Sequence, residues 1–334
     1  MAIEISTCQY HDLKDMVLDE IAYRTKKENK ETNSVLGQSE YWADFCDFFR
    51  YVYYLPEWEL RRIRRHTFHL TSDLYQRYYF ADKGFRNAIE NGYNYFIDQL
   101  DGFCIDEGTQ GIGIKISDQI LSHDLLRYLG TLVDLTKSGA IDKPTSTDVT
   151  QTILEIGGGY GGLARCIQKY KSNIAYVIVD LEETIFFSMC YLKEQLPEKH
   201  LYFVSNLDTL QLEPNSIYFV PQHRFEVLGN LNFDLAISQQ SLQEMTSNQV
   251  RRYLNFVKNN VRHLYSCNLV DHGQLALEKS LITGLDNLLS TELGLPQWVG
   301  QWPTEGNFFG DNHLNRKLYK VQKNIHNNIK GNLF

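Results

Sequence analysis

The chain has 334 residues, enough for a catalytic domain plus a smaller accessory part. Hydrophobic residues make up 43% and aromatic residues 13%, which supports a sizeable core and excludes a disordered or fibrous chain. The formal net charge of -8 argues against a nucleic-acid partner, which calls for a basic face.

The six cysteines, Cys8, Cys46, Cys104, Cys166, Cys190 and Cys267, are scattered without a C-x-x-C pair. Neither a disulfide framework nor a zinc cluster is indicated, which fits a reducing compartment. The start, Met1-Ala-Ile-Glu-Ile-Ser6, lacks the basic region and long apolar core of a signal peptide. No apolar run is long enough to span a bilayer, so a cytoplasmic protein without a membrane partner is expected.

Residues 1–145 read as a helical region. Leu13, Met16, Val17 and Ile21 form an apolar stripe at helical spacing. Residues 25–40 are polar and read as a loop. An aromatic-rich helix over 41–55 stops at Pro56, and further helices are predicted over 58–79. The run Arg61-Arg62-Ile63-Arg64-Arg65 is predicted to be the solvated face of a helix, with an acidic substrate or partner as the alternative. Helices follow over 83–100 and 117–135, the second ending near Gly139 with Pro144 beyond.

From 150 to 272, strands and helices alternate, the signature of a parallel sheet. Ile153, Leu154 and Ile156 suit a buried strand, Gly157, Gly158 and Gly159 permit a tight turn, and Leu163, Cys166, Ile167 and Tyr170 define a helix face. Strand, glycine turn and helix together aim backbone N–H groups and a positive helix end at a ligand. Gly157, Gly159 and Gly162 satisfy G-x-G-x-x-G, the dinucleotide pattern. Glu155, however, adds a carboxylate that would repel a pyrophosphate and suits a ligand carrying an ammonium and a sulfonium. The strand Tyr176-Val-Ile-Val-Asp180 ends in an acid able to accept both ribose hydroxyls. The two acids tip the choice from a nicotinamide dinucleotide to S-adenosylmethionine.

Further strands are predicted over 201–205, as the third of the sheet, over 216–220 as a small extra, then over 233–238 and 264–270. The capping-box sequence Thr246-Ser-Asn-Gln249 starts a helix. A helix over 274–293, an aromatic loop and a final strand at Lys317-Leu-Tyr-Lys-Val-Gln322 complete the chain.

The segment Glu155 to Ala164, with Val179-Asp180-Leu181-Glu182 and Ser241-Leu-Gln-Glu-Met245, resembles the sugar O-methyltransferases of the class I S-adenosylmethionine-dependent superfamily. The resemblance covers roughly residues 150–272. It implies a Rossmann-like class I methyltransferase fold, a mostly parallel seven-stranded sheet whose last strand runs antiparallel beside the fifth. The helical region 1–145 would then cap a methyltransferase domain at 146–334 and help choose the substrate.

Ligands of open α/β sheets bind outside the carboxyl ends of the strands, and that rule selects the remaining candidates. Glu155, Gly157, Gly158, Gly159, Gly161, Asp180 and Leu181 are assigned to the cofactor, Asn206 to the adenine edge, and Ser238 to the same end. Glu244 and His272 are the candidates for the base that an alcohol nucleophile needs. Together with Asp271 they form a set that could hold Mg²⁺ against two sugar hydroxyls, although no tight ligand motif demands a metal. Gln240, Ser241 and Asn268 are candidates for holding the substrate, and Trp298 and Trp302 for packing on a sugar's C–H faces. The two tryptophans equally suit a core edge or a contact in a homo-oligomer. The sequence thus predicts a methyltransferase acting on the hydroxyl of a sugar-containing small molecule. Transfer to a phenol or amine, and a non-catalytic binding module, remain open.

Overall fold

Strands buried on both faces are mostly apolar, and the runs Ile174–Val179 and Ile217–Val220 are of this kind. The computed structural model describes residues 2–28, 39–71, 76–108, 110–142, 150–205, 210–269, 284–300 and 314–321. Its first part contains β1 (Ala2–Glu4), α1 (Tyr10–Glu28), α2 (Glu40–Phe49), α3 (Glu57–Leu60), α4 (Gln76–Tyr79), α5 (Lys83–Gln99), β2 (Ile114–Ile116), β3 (Gln119–Leu121) and α6 (His123–Lys137). Strands and helices then alternate through β4 (Gln151–Ile156), α7 (Gly162–Tyr170), β5 (Ile174–Asp180), α8 (Glu182–Gln195) and β6 (His200–Val204). Next come β7 (Ser216–Pro221), β8 (Phe233–Gln239), α9 (Ser247–Asn260) and β9 (Val261–Leu269). The end of the described chain holds α10 (Leu285–Leu293), β10 (Trp298–Val299) and β11 (Leu314–Lys320).

One mixed sheet of nine strands, in the order β1-β6-β7-β5-β4-β8-β9-β11-β10, organises the molecule. From β6 to β9 neighbouring strands are parallel. Side chains alternate between two apolar layers: along β5, Tyr176 and Ile178 enter one, Val177 and Val179 the other. As expected, the final strand is antiparallel beside β9, with Leu318 opposite Tyr265. Among the described residues no helix is long and apolar enough to cross a membrane.

Several expectations need correction. Among the described residues the sheet has nine strands rather than seven. The supposed small extra strand, β7, sits directly beside β5, with Val220 opposite Val179, and displaces β6 one place outward. Burial explains the order: all six residues of β7 are buried, whereas β6 opens on the exposed His200. The N-terminal region is not all helical, because β1 covers the edge of β6 and β2 pairs with β3. That hairpin shortens the helix expected over 117–135. It begins instead at His123, behind Ser122, whose Oγ accepts from Leu125 N at 2.9 Å.

The arginine run is not a solvated face throughout. Arg64 is 1% exposed and donates to Glu107 at 3.1 Å and Asp124 at 2.9 Å, with its guanidinium 4.5 Å from the Tyr160 ring centroid. A buried charge persists only when paired in this way. Arg61 and Arg65 are exposed, as expected.

A second buried cluster fastens α1 to α8. Arg24 bonds Glu182 and Glu183, Arg224 donates to Glu20 at 2.9 Å, and His223 lies 2.6 Å from Glu182 and 2.8 Å from Glu20. Burial alone would lower the His223 pKa, but the two carboxylates outweigh it and hold the pKa above its usual value. Such a group stabilises fully below its unfolded pKa of about 6.5 and loses that contribution as pH rises through the folded value. As pH rises above the unfolded value of about 6.5, the melting temperature of the wild type should therefore fall more steeply than that of His223→Gln. Parallel melting curves for the two proteins would show that His223 is not a cation in the fold.

Candidate functional site

A cavity of about 230 Å³ opens at the carboxyl ends of the parallel strands. The turn after β4 forms its floor. Gly157 has φ +78°, and a Cβ there would lie 2.3 Å from the Cβ of Ser241, so only glycine lets the loop after β8 come this close. Ser241 Oγ bonds the Ile156 carbonyl and lies 2.9 Å from Ser238 Oγ, which locks that loop to the turn. Gly159 N donates to Asp180 Oδ2 at 2.9 Å, joining the turn to the end of β5.

Three acids reach this cavity from three strand ends. Asp180 also accepts from Leu181 N at 2.7 Å, leaving each carboxylate oxygen further acceptor capacity. Burial pushes its pKa up to about 7, against the pull of these two backbone bonds. Glu155 is 2% exposed and accepts from Tyr176 Oη at 2.9 Å. Burial raises its pKa to about 8, and the charge of Asp180 adds to the rise. Glu244 ends a short 3₁₀ turn (Leu242–Glu244), where its Oε2 accepts from Trp42 Nε1 at 3.1 Å and its carbonyl from Ser39 Oγ at 3.0 Å. Burial raises its pKa too, to about 8, with a further push from Asp180.

Gly157, Gly158, Gly159, Leu181, Gln240 and Ser241 line the cavity with these acids. Gln240 holds φ +55°, a left-handed strain uncommon outside glycine, and its N–H donates to Cys267 O at 2.7 Å. Other expected residues lie elsewhere. Gly161 caps α7 with φ +89°, where a Cβ would meet Leu192 at 2.8 Å, so it shapes the turn without lining the cavity. Ser238 is fully buried beneath Ser241, and Asn268 Nδ2 donates to Ser266 Oγ at 2.8 Å within the sheet. Trp298 packs against the core layer that holds α6. Asn206, Asp271, His272 and Trp302 lie outside the described residues. Among the described residues no three His, Cys, Asp or Glu side chains group as metal ligands.

The structure adds residues that sequence patterns did not single out. Gln222, just past β7, lines the cavity at the strand end where the adenine-edge asparagine was expected. Its signal was the fully apolar run Ile217–Val220, which belongs inside a sheet. Trp42, His69, Asp124 and Arg127 arrive from the N-terminal part. His69 sits among aromatic rings, with centroids 4.4 Å from Phe48 and 3.7 Å from Phe68, and burial lowers its pKa. Its Nε2 finds no hydrogen-bond partner among the described residues.

No family model and no curated protein matches the chain. Solved structures do. A mitomycin 7-O-methyltransferase is 12% identical, with a TM-score of 0.37 over 59% of this chain and 57% of that one. An O-methyltransferase family protein from Burkholderia thailandensis is 13% identical, with a TM-score of 0.36 over 52% and 51%. The chain thus spans little more than half the length of these two. A magnesium protoporphyrin IX methyltransferase from Synechocystis PCC 6803 with bound SAM is 11% identical, with a TM-score of 0.35 over 72% of this chain and 99% of that one. Likeness at this level says nothing of activity or substrate, which rest on the chain's own strand order, glycine turn and acids.

Proposed function

We propose that this protein transfers a methyl group from S-adenosylmethionine to a hydroxyl of a sugar-containing small molecule. One observation carries the cofactor: a glycine turn without room for a Cβ at Gly157, and three desolvated acids, share one cavity at the carboxyl ends of a parallel sheet. Acids held up by burial favour a cationic ligand, because a nearby positive charge offsets the cost of ionising them. The sulfonium and ammonium of S-adenosylmethionine meet that need, and a pyrophosphate does not.

Asp180 would accept the ribose hydroxyls, and the turn from Gly157 to Gly159 would pass beneath the amino-acid end. When bound, the cofactor supplies an activated methyl group. The chain's own task is to hold the acceptor hydroxyl in line, take its proton and keep water out. Glu244 is the base in this account, with Trp42 fixing the orientation of its carboxylate. Residues 1–145 act as the cover over a cofactor domain at 146–334, since Trp42, His69 and Arg127 reach the cavity from that part.

Support for a hydroxyl-rich acceptor is the density of amide and hydroxyl side chains on the wall, among them Thr71, Gln239, Gln240 and Ser241. The rings of Trp42 and Tyr128 on the same wall favour the second reading, a phenol.

Asp180→Ala should weaken S-adenosylmethionine by about 1.5–3 kcal/mol, as for hydrogen bonds to a charged group. Calorimetry showing unchanged affinity would remove Asp180 from the site. Glu244→Gln keeps the shape and abolishes proton acceptance, so turnover should drop by about 10²–10⁴-fold with cofactor affinity retained. In the wild type, turnover should climb with pH as Glu244 ionises, at or below its cofactor-free pKa of about 8 because the sulfonium favours the anion. Wild-type-like rates in Glu244→Gln would end its assignment as base.

A further inference from the structure

A row of aromatic rings leads out of the cavity from the carboxylate assigned as base. Trp42 bonds Glu244 at 3.1 Å, and both line the cavity. The Phe45 ring lies 5.4 Å from Trp42, centroid to centroid, and 5.8 Å from His69, which lines the cavity as well. Around His69 stand Phe48 at 4.4 Å and Phe68 at 3.7 Å.

Two elements build the row. Trp42, Phe45 and Phe48 recur every third residue along α2, beside the core ring of Phe49. Phe68 and His69 follow Thr67, which is fully buried. Its Oγ1 accepts from Arg64 Nη1 at 2.9 Å, and its carbonyl accepts from Leu70 N at 2.8 Å. Leu70 O in turn lies 3.8 Å from the point a Cβ at Gly159 would occupy, so this loop rests over the glycine turn.

The outer end of the row faces solvent. Phe48 is 48% exposed and Phe68 40%, with centroids 6.3 Å apart. Burial lowers the pKa of His69, so at neutral pH its imidazole is one more uncharged ring. Lone exposed rings are ordinary, but a contiguous apolar patch that continues into a cavity marks a ligand-binding surface. A hydroxyl held at Glu244 leaves the rest of its molecule to lie along these rings, and a body with an apolar face gains by covering them.

We propose that Phe48 and Phe68 form an outer acceptor subsite, which takes an apolar ring system joined to the hydroxyl-bearing part of the substrate. The inference rests on the reading of this cavity as a methyltransferase site and deepens it. The acceptor is then a glycoside with an apolar aglycone rather than a bare sugar.

Two probes separate this from the alternatives: 2-naphthyl β-D-glucopyranoside, which carries such an aglycone, and methyl β-D-glucopyranoside, which does not. Titration calorimetry on the full chain, saturated with S-adenosylhomocysteine, should show the naphthyl glycoside binding at least about 10-fold more tightly. Phe48→Ser and Phe68→Ser, both at exposed positions, should each cut that margin by about 3- to 10-fold. Affinity for S-adenosylhomocysteine and for the methyl glycoside should hold. Trp58→Ser, which removes an exposed ring outside this row, should leave the margin intact. Equal affinity of the wild type for the two glycosides would overturn the proposal, as would a margin that survives both phenylalanine substitutions. A wild-type dimer that dissociates in those variants, with glycoside binding untouched, would assign the rings to self-association and overturn it too. Binding of neither glycoside to the S-adenosylhomocysteine complex would overturn this inference alone. A wild type that does not bind S-adenosylhomocysteine would sink the cofactor assignment itself, and this inference with it.

Discussion

No side chain fits at residue 157, and the cavity exists because of it. A Cβ at Gly157 would collide with Ser241, so the bare turn is what allows the loop after β8 to close on the loop after β4. Ser241 then bonds Ile156 across the gap and draws the short turn that ends in Glu244 over the same cavity. A second close approach, Tyr128 on Gly162, seats α6 against the start of α7, and Asp124 and Arg127 of α6 join the cavity lining. Backbone approach at two glycines therefore decides which side chains meet. Burial then decides their chemistry.

Desolvation does most of that chemical work. Glu155, Asp180 and Glu244 sit where the charged form is penalised, and each titrates well above the usual carboxylate range. A fold that keeps acids near neutral pH in one cavity gives up stability as they ionise, and recovers it when a cation enters. The buried cluster between α1 and α8 differs, because there Arg24 pairs with Glu182 and Glu183 and ties the N-terminal part to the sheet domain. Arg64, with Glu107 and Asp124, holds the N-terminal part together. Contrast between the cation-paired acids of the α1–α8 cluster and the three strand-end acids of the cavity is the main electrostatic pointer to a cationic ligand.

The sequence made some of this legible because the signals are local. The β4 strand, its glycines and the apolar face of α7 lie within twenty residues of one another, roughly the length of one strand–turn–helix unit. Asp180 was readable for the same reason, as the acid that ends an apolar strand. The place of β7 was not, since two short apolar runs in succession do not say which lies next to β5. Full burial on both faces decides it, and burial is a tertiary fact. The same limit applies to charge. Arg64 reads like Arg61 and Arg65 until its partners are found 43 and 60 residues away, at Glu107 and Asp124. Strand-end position does not by itself bring a side chain to the cavity, for Ser238 is buried against Ser241 and Asn268 bonds Ser266 within β9. Trp42, His69 and Arg127 carried no local signal, because packing of the N-terminal helices is what brings them to the cavity.

The central claim is that surplus buried acid in this cavity awaits a cation, and that the cation is S-adenosylmethionine. Titration calorimetry of the wild type with S-adenosylmethionine near pH 7, in two buffers of different ionisation enthalpy, tests both halves at once. The account predicts binding with net release of protons to the buffer, as the sulfonium and ammonium drive Glu155, Asp180 and Glu244 to ionise. Binding without proton release would contradict the electrostatic half. No binding of S-adenosylmethionine, with tight binding of a nicotinamide dinucleotide in its place, would contradict the account as a whole.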